Sequence, residues 1–147
     1  MAGTVPLAKV VSLVVDSLNT LLPEQVSDGH IAHTFPPIDG RGWVVVSSLA
    51  GGNAIATMGS GAGILETVVQ VSSYGVSRVQ AQGIADAVAD AMIGRTGDDW
   101  TMAMVGSGFT IAHRALYFDM RMGVLESGLV PDLFFVAPDR FLLTVCL

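Results

Sequence analysis

From Val68 to Gly94 the chain reads VVQVSSYGVSRVQAQGIADAVADAMIG, and its apolar period changes from 2 to about 3.6 across a single glycine. In the first part Val69 and Val71 point opposite to Val68, Gln70 and Ser72, as a strand requires. Ser77 then precedes Gln80 by three residues, the spacing of a capping box, so a helix is predicted to start there. Ala81, Ile84, Ala85, Val88, Ala91 and Met92 form one apolar stripe, with Gln82, Asp86 and Asp90 on the other side. Gly94 stands where a left-handed C-terminal cap belongs. A strand that feeds a helix with small alanines on its inner face has to bury that helix against a sheet.

The remaining segments fit such a layer. Leu7, Val10, Val11, Val14, Leu18, Leu21 and Leu22 repeat at helical spacing between Pro6 and Pro23, which predicts a helix from about Pro6 to Leu22. Residues 24–42 hold Asp28-Gly29, Pro36-Pro37 and Asp39-Gly40 and read as a loop or extended arm. Trp43 to Leu49 and Ile64 to Ser73 read as two strands joined, through a Gly/Ser-rich connection, as a long hairpin. After a surface turn at residues 95–99, Trp100 to Val105 and Phe109 to Met122 are each expected as strand. The second also fits a short helix, but the alternation Phe118, Met120, Met122 favours strand. The apolar run from Arg140 to Leu147, after Pro138-Asp139, reads as a central strand. The predicted order is α-β-β-α-β-β, a single α+β domain over residues 1–147. Two helices are expected on one face of a mostly antiparallel or mixed sheet of about four to five strands.

Composition narrows the function. Hydrophobic residues make up 51% of the chain and charged residues 14%, against roughly 25% charged in an ordinary globular domain, so part of the surface is expected to lie against a partner. A net charge of −6, with the basic residues scattered singly, argues against a nucleic-acid-tracking face. The uncharged stretch Gly42 to Leu65 is broken by glycines, serines and Asn53 and does not read as a membrane span. The first residues lack a basic leading region and carry Lys9 and Asp16 within their apolar pattern, so no secretory signal is predicted. The lone Cys146 permits no internal disulfide.

Candidate chemistry is sparse. Gly59-Ser-Gly-Ala-Gly-Ile64 lacks the third glycine of a dinucleotide loop and runs into a strand rather than a helix. His30 and His33, with His113, could offer imidazoles to a metal, but the first two sit among turn formers and no carboxylate cluster accompanies them. Asp86 and Asp90 lie one helical turn apart, which places them on a solvated face, at a subunit contact or facing a lumen. Gly106-Ser-Gly108 lacks a nucleophile elbow.

Val69-Gln-Val-Ser-Ser-Tyr-Gly75, Ser77-Arg-Val-Gln-Ala81, Ile84-Ala-Asp-Ala-Val88 and Ala137-Pro-Asp-Arg-Phe141 together resemble the tail terminator family of long-tailed bacteriophages. In that family an N-terminal helix, a central hairpin, a helix after a short glycine turn and a final strand follow in this order, so the resemblance spans Pro6 to Cys146. It implies a non-enzymatic virion protein, without cofactor or metal, that is assembled in the host bacterial cytoplasm. A homohexameric ring would cap the tail tube, stop its growth and meet the head-tail connector, while DNA passes an acidic lumen without specific binding. The expected contacts are Gly51, Asn53, Met58 and Gly61 in the glycine-rich loop, Phe35 and Ile38 in the arm, and Asp86 and Asp90 on the second helix. Another neck protein, such as a head-closure or head-tail joining protein, is the nearest alternative. A small metal- or ligand-binding enzyme built on His30, His33 and His113 is the more distant one.

Overall fold

The computed structural model describes residues 7–28, 42–48, 53–56, 63–106, 108–127 and 134–146. In chain order these form α1 (Leu7–Leu21), β1 (Gln25–Asp28), β2 (Trp43–Ser48), β3 (Asn53–Ala56), β4 (Gly63–Gly75) and α2 (Arg78–Ile93). A small hairpin of β5 (Arg95–Thr96) and β6 (Asp99–Trp100) follows. Then come β7 (Thr110–Leu116), a 3-10 turn at Tyr117–Asp119, β8 (Leu125–Ser127) and β9 (Phe134–Cys146).

Among the described residues the fold is α+β, with two helices against one mixed sheet. Seven strand segments occupy five lanes: β1, then β2 with β3, then β4, then β9, then β7 with β8. Among the described strands of this sheet, β1 and β2 run parallel and the other pairs antiparallel. β4 and β9 pair without a break from Ile64↔Cys146 to Gly75↔Phe135, and their register sets which side chains share a face. Val69 and Val71 of β4 and Phe141, Leu143 and Val145 of β9 point to the helices and are fully buried. Val44 and Val46 of β2, Val26 of β1 and Ile111 of β7 join them. From the helices, Val10, Val14 and Leu18 of α1 and Ile84, Val88 and Met92 of α2 complete one cluster. Both helices therefore cover the same side of the sheet.

Several elements differ from the pattern-based expectation, each for a local reason. The arm at residues 24–42 contains a strand, β1, because Asn19 of α1 holds Val26 as a neighbouring strand would. Val26 N donates to Asn19 Oδ1 (3.1 Å) and Asn19 Nδ2 donates to Val26 O (3.2 Å). The glycine-rich connection also holds a strand, β3, which extends the hairpin along β4. Trp100 ends β6, and beyond it the segment to Val105 is no ladder strand: Met102 and Met104 alternate into the core, and Val105 makes one isolated bridge, to Thr110. The expected strand from Phe109 to Met122 ends at Leu116, where the chain turns through Phe118 (φ 56°) and Asp119 (φ 51°). Phe118, Met120 and Met122 are exposed, so their alternation does not mark a buried face.

The final strand starts at Phe134, before Pro138-Asp139 rather than after it. Pro138 is tolerated because it falls between the reach of β8, which meets Val136, and that of β7, which meets Phe141. Among the described residues no strand pairs with Pro138 on the side away from β4, the side on which a missing N–H leaves the ladder intact. At α2 the predicted cap forms: Ser77 Oγ accepts from Gln80 N (3.1 Å), while Gln80 Oε1 reaches back to Val76 N (2.7 Å), one residue before the cap. Gly94 is extended (φ −67°, ψ 145°), not left-handed. A glycine is still required there, because a Cβ would fall on the Asp90 carbonyl oxygen that Gly94 N contacts.

Two substitutions rank these features. Phe141→Ala empties the centre of the core and is expected to cost about 3–5 kcal/mol, whereas Ser77→Ala removes one cap bond and costs ~1 kcal/mol. Chemical denaturation of both variants measures the difference, and equal losses would contradict the placement of Phe141.

Candidate interaction surfaces

The segment after β7 combines several side-chain hydrogen bonds with a group of exposed apolar side chains. Asp139 lies on the helix-facing side of β9 and is almost fully buried. Its Oδ2 accepts from Arg121 Nε (2.8 Å) and its Oδ1 from Met122 N (3.0 Å). Arg121 Nη2 also donates to Asp86 Oδ1 on α2 (3.1 Å), which in turn accepts from Gln82 Nε2 (2.9 Å). Partial burial pulls the Arg121 pKa down. Hydrogen bonds and charge from Asp139, then from Asp86, outweigh that and hold the pKa above its ordinary value. Nearer the start of α2, Arg78 donates to Val124 O (3.1 Å) and pairs with Glu126 (3.3 Å). The chain from 121 to 126 is thus tied to α2 and β9 at both ends.

The consequence lies on the surface. Phe118 is 78% exposed and Val79 of α2 84% exposed, with Met120, Met122 and Leu125 also open to solvent. Phe118 and Asp119 occupy the left-handed region, which a non-glycine residue adopts at an energetic cost and which the surrounding bonds sustain. Beside them a shallow groove of about 490 Å³ runs between α2 and Val124, lined by Arg78, Val79, Gln82, Gly83 and Asp86. Gly83 leaves it open, since a Cβ there would meet nothing within 4 Å.

A second cluster lies at the C-terminal end of α2. Two guanidiniums lie over the Trp100 ring, with Arg95 Cζ 3.9 Å and Arg114 Cζ 4.9 Å from its centroid, and His113 meets it edge-on. Arg114 is buried, donates to the Met92 carbonyl oxygen (3.4 Å) and leaves its Nε without a hydrogen bond. Burial, then the Arg95 charge, pull its pKa down to about 10, so it remains a cation at neutral pH. The negative end of the helix and the indole face take the place of a carboxylate partner.

The third surface is the side of the sheet opposite the helices. Val68 stands opposite Leu142, Gln70 opposite Arg140, and Glu66 opposite Thr144. Arg140 Nε donates to Gln70 Oε1 (3.3 Å). At one end Trp43 and Tyr74 stack in parallel at 5.0 Å with Phe134 tilted against both, and burial raises the Tyr74 pKa.

Of the residues singled out in the sequence, Asp86 and Asp90 are both exposed on α2, and Asp86 is engaged by Arg121 and Gln82 rather than by Asp90. Asn53 begins β3, paired with Glu66. His113 is on β7 beside Trp100. Gly51, Met58, Gly61, Phe35, Ile38, His30 and His33 lie outside the described residues, so the three histidines are not brought together by anything described. Among the described residues no group of three or more His, Cys, Asp or Glu side chains could hold a metal, and no helix is long and apolar enough to cross a membrane. Sequence patterning missed Arg121, Asp139 and Arg114. The one available signal was a lone aspartate inside an apolar C-terminal run, and Pro138 beside it made that aspartate read as part of a turn. No model of a known protein family matches the chain, and no curated protein matches it either.

Arg121→Ala leaves the Asp139 carboxylate buried without its cation, and is expected to cost about 3–5 kcal/mol; removing both partners in Arg121→Ala/Asp139→Ala recovers part of that loss. Amide hydrogen exchange at Met122 should accelerate in the single variant. Unchanged exchange there would show that other contacts hold the segment.

Proposed function

We propose that this chain is a bacteriophage virion structural protein, a tail terminator. In this reading it forms a homohexameric ring that caps the tail tube, stops its polymerisation and offers the joining surface for the head-tail connector. The observation that carries the reading is the apolar segment from Phe118 to Leu125, held on the outside of α2 by Arg121, which pairs with the buried Asp139 and the exposed Asp86. Apolar side chains fixed in place before binding lose little entropy on association, which suits a contact repeated around a ring. The element order supports the reading as well: a first helix, a hairpin, a helix after a short glycine turn and a long last strand.

In this assembly Phe118, Met120 and Leu125 of one copy meet the next copy, replacing Asp86 as the expected α2 contact because Asp86 is already occupied within its own chain. Asp90 remains exposed for a lumen or a neighbour. The glycine-rich loop around Gly51 and Gly61 and the arm around Phe35 and Ile38 remain proposed contacts to the tube or a neighbour. The acidic balance of the chain lets DNA pass without adhering.

Negative-stain electron microscopy of the purified protein over a concentration series should reveal six-fold rings with an open centre. Phe118→Glu should abolish them while circular dichroism remains unchanged. Rings that persist in this variant would remove the 118–125 contact, and monomers at every concentration would remove the self-assembling ring. Rings that bind connector but not tube ends would identify a head-closure component instead.

A further inference from the structure

A separate surface, the sheet face away from the helices, is built to match a copy of itself. In β4 and β9 every second side chain points away from the core: Glu66, Val68 and Gln70 on one strand, Arg140, Leu142 and Thr144 on the other. These residues are partly exposed, while the inward set beside them is almost fully buried; toward β2 the outward side is closed, with Trp43, Val45 and Ser72 buried. β9 is consequently apolar on both sides over much of its length, the pattern of a strand covered twice. The helices cover it once.

The charges on this face are arranged in a self-complementary way. Val68 and Leu142 pair directly at the centre, with Glu66 two residues to one side on β4 and Arg140 two residues to the other side on β9. Two residues span about 6.8 Å along a strand and adjacent lanes lie ~4.8 Å apart. A two-fold axis lying between two stacked sheets, crossing the strands at the level of Val68 and Leu142, reverses position along the strands and keeps the lane. It therefore brings Arg140 of each copy to the level of Glu66 in the other, one lane away, and lays Val68 on Val68 and Leu142 on Leu142. Moving the axis to the level of Gln70 and Arg140, or to that of Glu66 and Thr144, lays Arg140 on Arg140 or Glu66 on Glu66.

We infer that this sheet face is a two-fold interface between copies of this chain, with Val68 and Leu142 at its centre and reciprocal Glu66–Arg140 pairs on either side. The contact is isologous and closes on two copies, so it does not rest on the ring reading, which needs a head-to-tail contact through another surface.

Sedimentation equilibrium of the full chain tests it, using Glu66→Arg, Arg140→Glu and the double exchange, each checked for folding by near-ultraviolet circular dichroism. The wild type should form dimers, or pairs of rings if rings also form. Each single reversal places like charges face to face and should raise the dissociation constant of the two-fold step at least tenfold. The double exchange restores opposite charges and should return it to within about threefold of wild type, a recovery that a merely misfolded variant would not display. Hexamers without any two-fold step, or dimers indifferent to both single reversals, would overturn the sheet contact and leave the ring reading standing. Monomers at all concentrations would overturn both, and failure of the double exchange to recover would overturn the Glu66–Arg140 pairing.

Discussion

The uninterrupted antiparallel pairing of β4 with β9 is the constraint on which the rest of the structure depends. It fixes Val69 opposite Phe141 and Val71 opposite Asp139, and so decides in one step which side chains form the core and which face away. A slip of one residue would exchange the two sets. Both helices bury their apolar stripes against this pair and the lanes beside it, and the chain after β7 is anchored to a residue of β9. Each outer lane adds less. β1 is four residues long and is held through the Asn19 amide, which also occupies a backbone edge that would otherwise be open to another strand.

Asp139 shows how a residue in that central pair determines a distant surface. A buried carboxylate is costly unless it is paired and hydrogen-bonded, and here Arg121 and the Met122 amide supply both requirements. Satisfying Asp139 therefore requires the chain to return from β7 across α2, and the return runs through the left-handed turn at Phe118 and Asp119. Exposed apolar side chains are usually found singly on soluble proteins. Here several are grouped on a short segment whose backbone cannot relax without leaving the buried Asp139 carboxylate unpaired. Rigidity on that side and partial exposure on the opposite sheet face give the molecule two chemically distinct surfaces, one suited to head-to-tail contact and one to two-fold contact.

Much of the fold was legible in residue order. α1 and α2 fall within a residue or two of their expected ends because periodic stripes and the Ser77–Gln80 cap are local signals. The central hairpin was likewise visible, since alternation in β4 needs no knowledge of its partners. The parts that were not legible involve long-range partners. β1 looked like a loop because its hydrogen bonds come from a helix side chain and from a strand further along the chain. Met102 and Met104 carry a strand-like alternation but have no neighbour to ladder with. Pro138 signalled a break that did not occur, because harm from a missing N–H depends on whether another strand faces it. Of the candidate site, α2 and its acidic side chains could be placed from sequence, whereas the clamp of Arg121 on Asp139 joins residues whose proximity arises only from the sheet.

The sequence by itself determined an α+β layer, the two helices with their buried stripes, an acidic and weakly charged surface, and a chain with no concentrated catalytic motif. These follow from short-range periodicity, capping and composition, all of which act within a few residues. The tertiary structure decided which face of the sheet the helices cover, that the segment from 117 to 126 is held rigid with its apolar groups outward, and that Glu66 and Arg140 flank an apolar centre. Those features depend on the β4–β9 register, and a register is a relation between distant segments that no local pattern contains.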